Sequence, residues 1–267
     1  MIPKIKRCFP WHRRHQISLL VPFRADFPER ERNWAWLKQY WKYELPDAEV
    51  IVGTNLDVPF CKTAAVNDAF RKCHGDVIVI LDADCYISGE VITACAENIR
   101  AQRRKGRKLW YIPYRRFYRL NEDASLQLLA SSPADPLRFS DPPPASDLEN
   151  LPASASYGHW YAALIQILPR KAFIEAGGMC ERFAGWGGED ISFMYAVDTL
   201  YSKHRTFDGP VYHIAHPVIK GDWQATRQWV GQPSAEMNDA LAGRYEYANG
   251  DKRLMRKLLE GESPYED

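Results

Sequence analysis

The 267-residue sequence has no hydrophobic run of the roughly 18–20 residues needed to span a bilayer, so no integral membrane segment is expected. It lacks an excess of either charge: 35 Lys and Arg stand against 34 Asp and Glu, a net charge of +1. That balance argues against a dedicated nucleic-acid binder, because neutralising many phosphates takes a clear basic surplus. Cysteine is sparse. Cys8, Cys61, Cys73, Cys85, Cys95 and Cys180 are scattered with no CxxC pair, which offers neither a zinc pattern nor a disulfide framework and reads as reduced core thiols. There is no glycine-rich phosphate loop near the first strand, which argues against a sugar nucleotidyltransferase. No internal repeat occurs. The basic N-terminus carries no apolar segment of the secretory kind, and a cytoplasmic location is expected.

What is present begins with a hydrophobic content of 46%, enough for a full core. The chain is organised around Asp76-Val77-Ile78-Val79-Ile80-Leu81-Asp82-Ala83-Asp84. Its β-branched run reads as a strand buried on both faces of a parallel sheet, ending in two carboxylates. The carboxyl ends of such strands are where open α/β sheets bind ligands. Asp82 and Asp84 suit a divalent cation holding a diphosphate; the motif by itself equally suits a loop cap or a cap for the helix beginning near Ser88.

Around this stretch the pattern is strand (Ile17–Pro22), helix (Glu29–Glu44), strand (Glu49–Gly53), helix (Lys62–Cys73) and strand, the order of a doubly wound sheet. Trp34, Leu37, Trp41 and Leu45 mark the apolar face of the first helix. The expected organisation is a basic arm over 1–16, one α/β domain over 17–217 and a helical extension over 218–267, with Lys252 to Leu259 as its last helix. Within the domain, Asn121–Tyr157 is rich in Pro, Ser, Ala and Asp, and reads as a long surface insertion without regular structure. The basic run Arg100–Lys108 reads as a solvated helix end and loop.

Three further motifs carry chemistry. Gly185-Trp186-Gly187-Gly188-Glu189-Asp190 places an aromatic platform in a constrained loop, then two acids at a helix N-terminus, where the helix dipole favours their ionised forms. That suits a general base beside a sugar ring, and equally an ordinary glycine turn with first-turn acids. His213 and His216 can reach one metal only if the backbone turns between them, since residues three apart on a strand face opposite ways. Pro22-Phe23-Arg24 ends the first strand, with Arg24 at the sheet edge of Asp82, suited to a phosphate or to an ordinary surface position.

Together these residues resemble GT-A-fold glycosyltransferases, those of family 2 and the β-1,4-galactosyltransferase family. The matching pieces are Val21–Arg24, Lys62–Asn67, Leu81–Asp84, Arg170–Asp190 and His213–His216. The resemblance implies an α/β, Rossmann-like fold with a mostly parallel sheet flanked by helices. It implies a metal-dependent, inverting transfer of a hexose or N-acetylhexosamine from a UDP-sugar to a glycan or protein acceptor, with Mn2+ or Mg2+. By the same resemblance Asp84, His213 and His216 bind the metal, Asp190 with Glu189 is catalytic, and Pro22, Arg24, Lys62, Asp82 and Ala83 join Asp84 in holding the donor. Trp186, Gly187, Gly188 and Glu189 hold the sugars. Met179 stands where the families carry phenylalanine, and His213 where the galactosyltransferases carry methionine. A retaining enzyme of the same fold and a non-catalytic nucleotide-sugar- or carbohydrate-binding relative are the competing readings.

Overall fold

Ile17–Pro22 (β1), Glu49–Gly53 (β2) and Val77–Leu81 (β3) pair in parallel, with Leu19 opposite both Val50 and Val79. All five residues of β3 are buried, as a strand covered on both faces requires. These elements belong to a computed structural model that describes residues 16–57, 60–150, 155–157, 162–185, 187–217 and 234–261. The expected basic arm over 1–16 lies outside the described residues except for Gln16.

Two helices make the crossovers. Pro28–Glu44 (α1) opens with proline in its first turn and Glu29 and Glu31 beside it, all favourable at a helix start. Trp34, Leu37 and Trp41 are buried beneath it as their spacing predicts, with Trp36 stacked on Tyr40 at 5.5 Å. Lys62–Lys72 (α2) lies directly on β2: a Cβ at Gly53 would sit 1.8 Å from the carbonyl oxygen of Ala65, so only glycine allows this approach.

After β3 the chain turns at Asp82-Ala83-Asp84 into Cys85–Tyr86 (β4) and Gly89–Arg104 (α3), where Ser88 Oγ accepts from Glu90 N at 3.2 Å as an N-cap. Then come Tyr111–Ile112 (β5), Arg116–Arg119 (β6), Glu122–Ala130 (α4), Ala155–Tyr157 (β7), Ile165–Pro169 (β8) and Arg170–Glu175 (α5). Glu189–Leu200 (α6), Arg205–Thr206 (β9), Pro210–His213 (β10), Ser234–Ala248 (α7) and Lys252–Leu259 (α8) complete the order. Among the described residues the strands form a six-stranded sheet, β2-β1-β3-β8-β5-β9, and a four-stranded sheet, β4-β10-β6-β7. The expected α/β class with a mostly parallel sheet is observed; β8 departs from it by running antiparallel between β3 and β5.

Two expectations need correction. The segment Asn121–Tyr157 is not aperiodic throughout: Asn121 Oδ1 accepts from Ala124 N at 2.9 Å and caps α4, whose Ala124 and Leu128 are buried. The Asn cap and the acids after it are helix-start signals that the later prolines obscured. The basic run near Arg100 is not simply solvated, because Arg100 and Arg103 each approach Asp76 at 2.8 Å. The helical extension expected over 218–267 contains α7 and α8. Cys61, Cys73, Cys85 and Cys95 are buried free thiols, and Met179 is buried in the core. Among the described residues no helix is long and apolar enough to cross a membrane.

Candidate active site

The turn after β3 carries Asp84 to the seam between the two sheets. Asp84 O accepts from Ile214 N at 2.9 Å, and Cys85 lies opposite His213 in the antiparallel β4–β10 ladder. That register sets His213 beside Asp84. Because β10 ends at His213, the backbone turns before His216 and both imidazoles reach one carboxylate. Asp84 Oδ2 lies 3.1 Å from His216 Nε2 and 3.9 Å from His213 Nε2. One ligand atom from each of the three residues falls within 4.8 Å of the other two.

The electrostatics of this triad follow from its burial. Asp84 is 7% exposed, and burial alone would raise its carboxyl. His213 and the hydrogen-bonded His216 outweigh that and hold it below the usual carboxylate range. Burial pushes the His213 imidazole down to about 3, against the pull of Asp84 and with His216, Arg119 and Arg30 adding to the shift. His216 is raised, since its hydrogen bond to Asp84 overcomes its own burial. His213 Nδ1 is buried without a hydrogen-bond partner in the described structure. Two imidazoles and a carboxylate form a donor set that fits a divalent transition cation such as manganese or zinc better than magnesium, which favours an all-oxygen shell.

The second cluster centres on Lys62, the first residue of α2. Its Nζ lies 2.8 Å from Asp82 Oδ1, 2.8 Å from Asp190 Oδ2 and 3.8 Å from Glu189 Oε1. A lysine at a helix N-terminus opposes the helix dipole, and α2 has no acid in its own first turn to offset this. The three carboxylates supply the compensation, two of them from the first turn of α6. Burial would lower the Lys62 ammonium, but Asp190, Asp82 and Glu189 outweigh it and raise the group well above the ordinary lysine value. With three acids sharing one cation, burial raises Asp190 well above the usual carboxylate range, opposed by Lys62 and reinforced by Glu189 and Asp82. Asp82 is raised for the same leading reason.

The sequence-predicted residues therefore fall into two adjoining groups. Asp84, His213 and His216 form one, and Lys62, Asp82, Glu189 and Asp190 form the other, with buried Ala83 between Asp82 and Asp84. Lys62, expected on the donor, is engaged by these acids. Arg24 stands apart from them: its Nη1 donates to Asp57 O at 2.8 Å and its guanidinium lies 5.1 Å from the Phe60 ring centroid. Pro22 closes β1, opposite Gly53 of β2. Gly187 and Gly188 have φ of 109° and 85°, and Gly187 N donates to Glu189 Oε2 at 3.1 Å. Trp186 lies outside the described residues.

Two neighbours of the site were not anticipated. Arg30 on α1 reaches Asp26 Oδ1 only at 3.3 Å, and its buried Nε finds no hydrogen-bond partner in the described structure. Its charge helps depress both Asp84 and His213. Gln166, buried within β8, donates from Nε2 to the backbone oxygen of Asp190 at 3.1 Å. A lone amide inside the apolar run Ile165-Gln166-Ile167-Leu168 was the available signal, because buried polar side chains need a partner. Arg30 gave none, sitting among other charges in a surface-helix pattern.

Comparison with known proteins gives a match to part of the chain. Residues 23–123 match the family model described as Glycosyl transferase family 2. No curated protein matches the chain. Among solved structures the chain is similar to the catalytic domain of Drosophila beta-1,4-galactosyltransferase 7 in complex with xylobiose, at 15% identity and a TM-score of 0.38, covering 80% of this chain and 79% of that one. A mutant of that Drosophila enzyme in complex with manganese, UDP-Gal and xylobiose gives the same values, 15%, 0.38, 80% and 79%. Staphylococcus aureus TarS is similar at 12% identity and a TM-score of 0.44, covering 88% of this chain and 43% of that one.

Proposed function

We infer that this chain, a glycosyltransferase whose residues 23–123 carry the family 2 signature, is a metal-dependent, inverting enzyme. It moves a hexose or N-acetylhexosamine from a UDP-sugar to a hydroxyl of a glycan or protein acceptor. The uridine donor rests on the resemblance in sequence. The observation that carries the reading is the Asp84–His213–His216 triad, with its ligand atoms within 4.8 Å, adjoining the Lys62–Asp190 cluster across Ala83.

Asp84, His213 and His216 would hold the cation, which when bound offsets charge developing on the departing diphosphate. Arg30, whose charge acts on Asp84 and His213, would add a cation beside the departing diphosphate. Asp190 takes the acceptor hydroxyl proton as that oxygen forms the new bond to the anomeric carbon. The bond from that carbon to the diphosphate oxygen breaks as this happens, and the diphosphate leaves with the electron pair. Burial supports this role: a carboxylate whose proton affinity is raised is the stronger base near neutral pH. Gln166 holds the Asp190 backbone, and Lys62 fixes the carboxylate between Asp82 and the acceptor side.

The reading is tested by a manganese-dependent thermal-shift screen over UDP-, GDP- and other nucleotide sugars, with donor hydrolysis measured beside it. A shift that needs both manganese and a UDP-sugar, and disappears in Asp84→Ala, is the expected result. No shift with any nucleotide sugar would reject the enzyme reading in favour of a structural Asp-x-Asp turn.

A further inference from the structure

Asn238 lies on α7, in the C-terminal extension to which the sequence reading gave no role. It is 2% exposed, and its amide grips one residue of the loop that leads into α6. Nδ2 donates to Ala184 O at 2.9 Å, and Oδ1 accepts from Ala184 N at 3.3 Å. A carboxamide matched to both the N–H and the C=O of one residue pins the backbone of that residue at two points. On the far side of the same segment, Gly185 makes a parallel bridge to Cys61. Cys61 is the N-cap of α2, immediately before Lys62. The segment is therefore held between α7 and the start of α2, and it leads directly to Glu189 and Asp190.

α7 also meets the other end of the loop. A Cβ on Gly188 would sit 3.0 Å from Ala242 Cβ and 3.4 Å from Asn238 O, at a φ of +85° that already favours glycine. Tyr245, one further turn along, packs on Phe183 with ring centroids 6.1 Å apart. The metal-ligating set, by contrast, comes from the β3–β4 turn and from β10, whose contacts described above do not involve Asn238.

We propose that Asn238 is a positioning residue for transfer: by clamping Ala184 it holds Ala184 and Gly185 against the start of α2, so that Asp190, which follows them in the chain, is presented to Lys62 and to the acceptor. This rests on the functional reading above for the chemistry, but the clamp itself is a statement about the loop. It makes α7 part of the acceptor side of the site.

The test uses the full chain and compares wild type with Asn238→Ala, Asn238→Asp and Asn238→Gln. Three quantities are measured: amide hydrogen exchange over residues 184–190 without ligand, Kd for Mn2+ and for UDP by calorimetry, and kcat for hydrolysis of UDP-galactose, with water as the acceptor. Asn238→Ala is expected to speed exchange in the loop and to lower kcat about 10-fold or more, since small misplacements of a reacting group carry penalties of that order, with Kd for Mn2+ and UDP changed less than about twofold. Asn238→Asp keeps an acceptor for Ala184 N–H but cannot donate to Ala184 O, and is expected to show the same pattern if the alanine variant does not fold. Asn238→Gln, which keeps both ends of the amide, is expected to recover part of the rate.

Unchanged exchange and kcat in a folded variant would overturn the proposal. So would an equal loss of Mn2+ and UDP affinity, or a glutamine variant no better than alanine. Wild type that binds neither Mn2+ nor UDP would reject the functional reading instead, and the exchange measurement would still decide the clamp.

Discussion

The Lys62 ammonium donates to both carboxylate oxygens of Asp190, at 2.9 and 2.8 Å, and reaches Asp82 Oδ2 at 3.0 Å with the same group. A helix start and two distant acids are thereby tied into one half-buried unit, with Glu189 alongside at 3.8 Å. Removing the cation leaves three carboxylates without their partner. Lys62→Met is therefore expected to destabilise the fold by about 3–5 kcal/mol, the usual consequence of stripping one side from a buried ion pair. Urea denaturation reads this directly; a midpoint equal to wild type would mean that Lys62 is not the group compensating these acids.

Asp190→Asn separates geometry from chemistry. Asparagine keeps the size of the side chain and one oxygen for Lys62, but it cannot take up the acceptor proton. The expected outcome is a fall in kcat of about 10²–10⁴-fold with Mn2+ and UDP affinities close to wild type. A variant that transfers sugar at the wild-type rate would strip Asp190 of the base role. Steady-state kinetics beside calorimetry make the distinction.

The triad gives the metal prediction. Manganese that binds only the folded chain stabilises it by about 2.7 kcal/mol when present at about 100 times its Kd, and so raises the melting temperature. Asp84→Ala and His216→Ala should each abolish that rise, because they remove the two groups joined at 3.1 Å. A chelator should lower the wild-type melting temperature in manganese to the metal-free value. A full manganese shift in Asp84→Ala would place the ion elsewhere.

Much of the fold was legible because local pattern and buried position agree. The run Val77–Leu81 could hardly be anything but a covered strand, and Trp34, Leu37 and Trp41 share one face of α1 as their spacing requires. The site residues were legible as types but not as partners. Nothing local says that Lys62 and Asp190 meet, since their contact depends on β8 entering the sheet antiparallel beside β3 and on the loop before α6 returning to α2. His213 and His216 were ambiguous for a similar reason: their convergence depends on where β10 stops. Arg30 and Asn238 look like ordinary residues of polar helices, and acquire meaning only from Asp84 on one side and Ala184 on the other.

The pH dependence of transfer tests the coupled cluster most directly. Burial raises Asp190 above the ordinary aspartate value of 3.8, while Lys62 pulls it back. The folded chain thus keeps a proton that the unfolded chain releases, so the stability from this group is present at acid pH and falls as pH rises through the raised value. The same proton disables the base, so kcat should rise with pH along an acid limb displaced upward from 3.8. Lys62 is raised too, so its contribution to stability is full below 10.5 and is lost as the pH rises from there through the raised value. Replacing it in Lys62→Met removes the influence that lowers Asp190 and leaves burial, Glu189 and Asp82, which all raise it. The acid limb of kcat in that variant should move to higher pH. A limb that stays in place or moves to lower pH would show that the Lys62–Asp190 contact does not govern the proton affinity of the base.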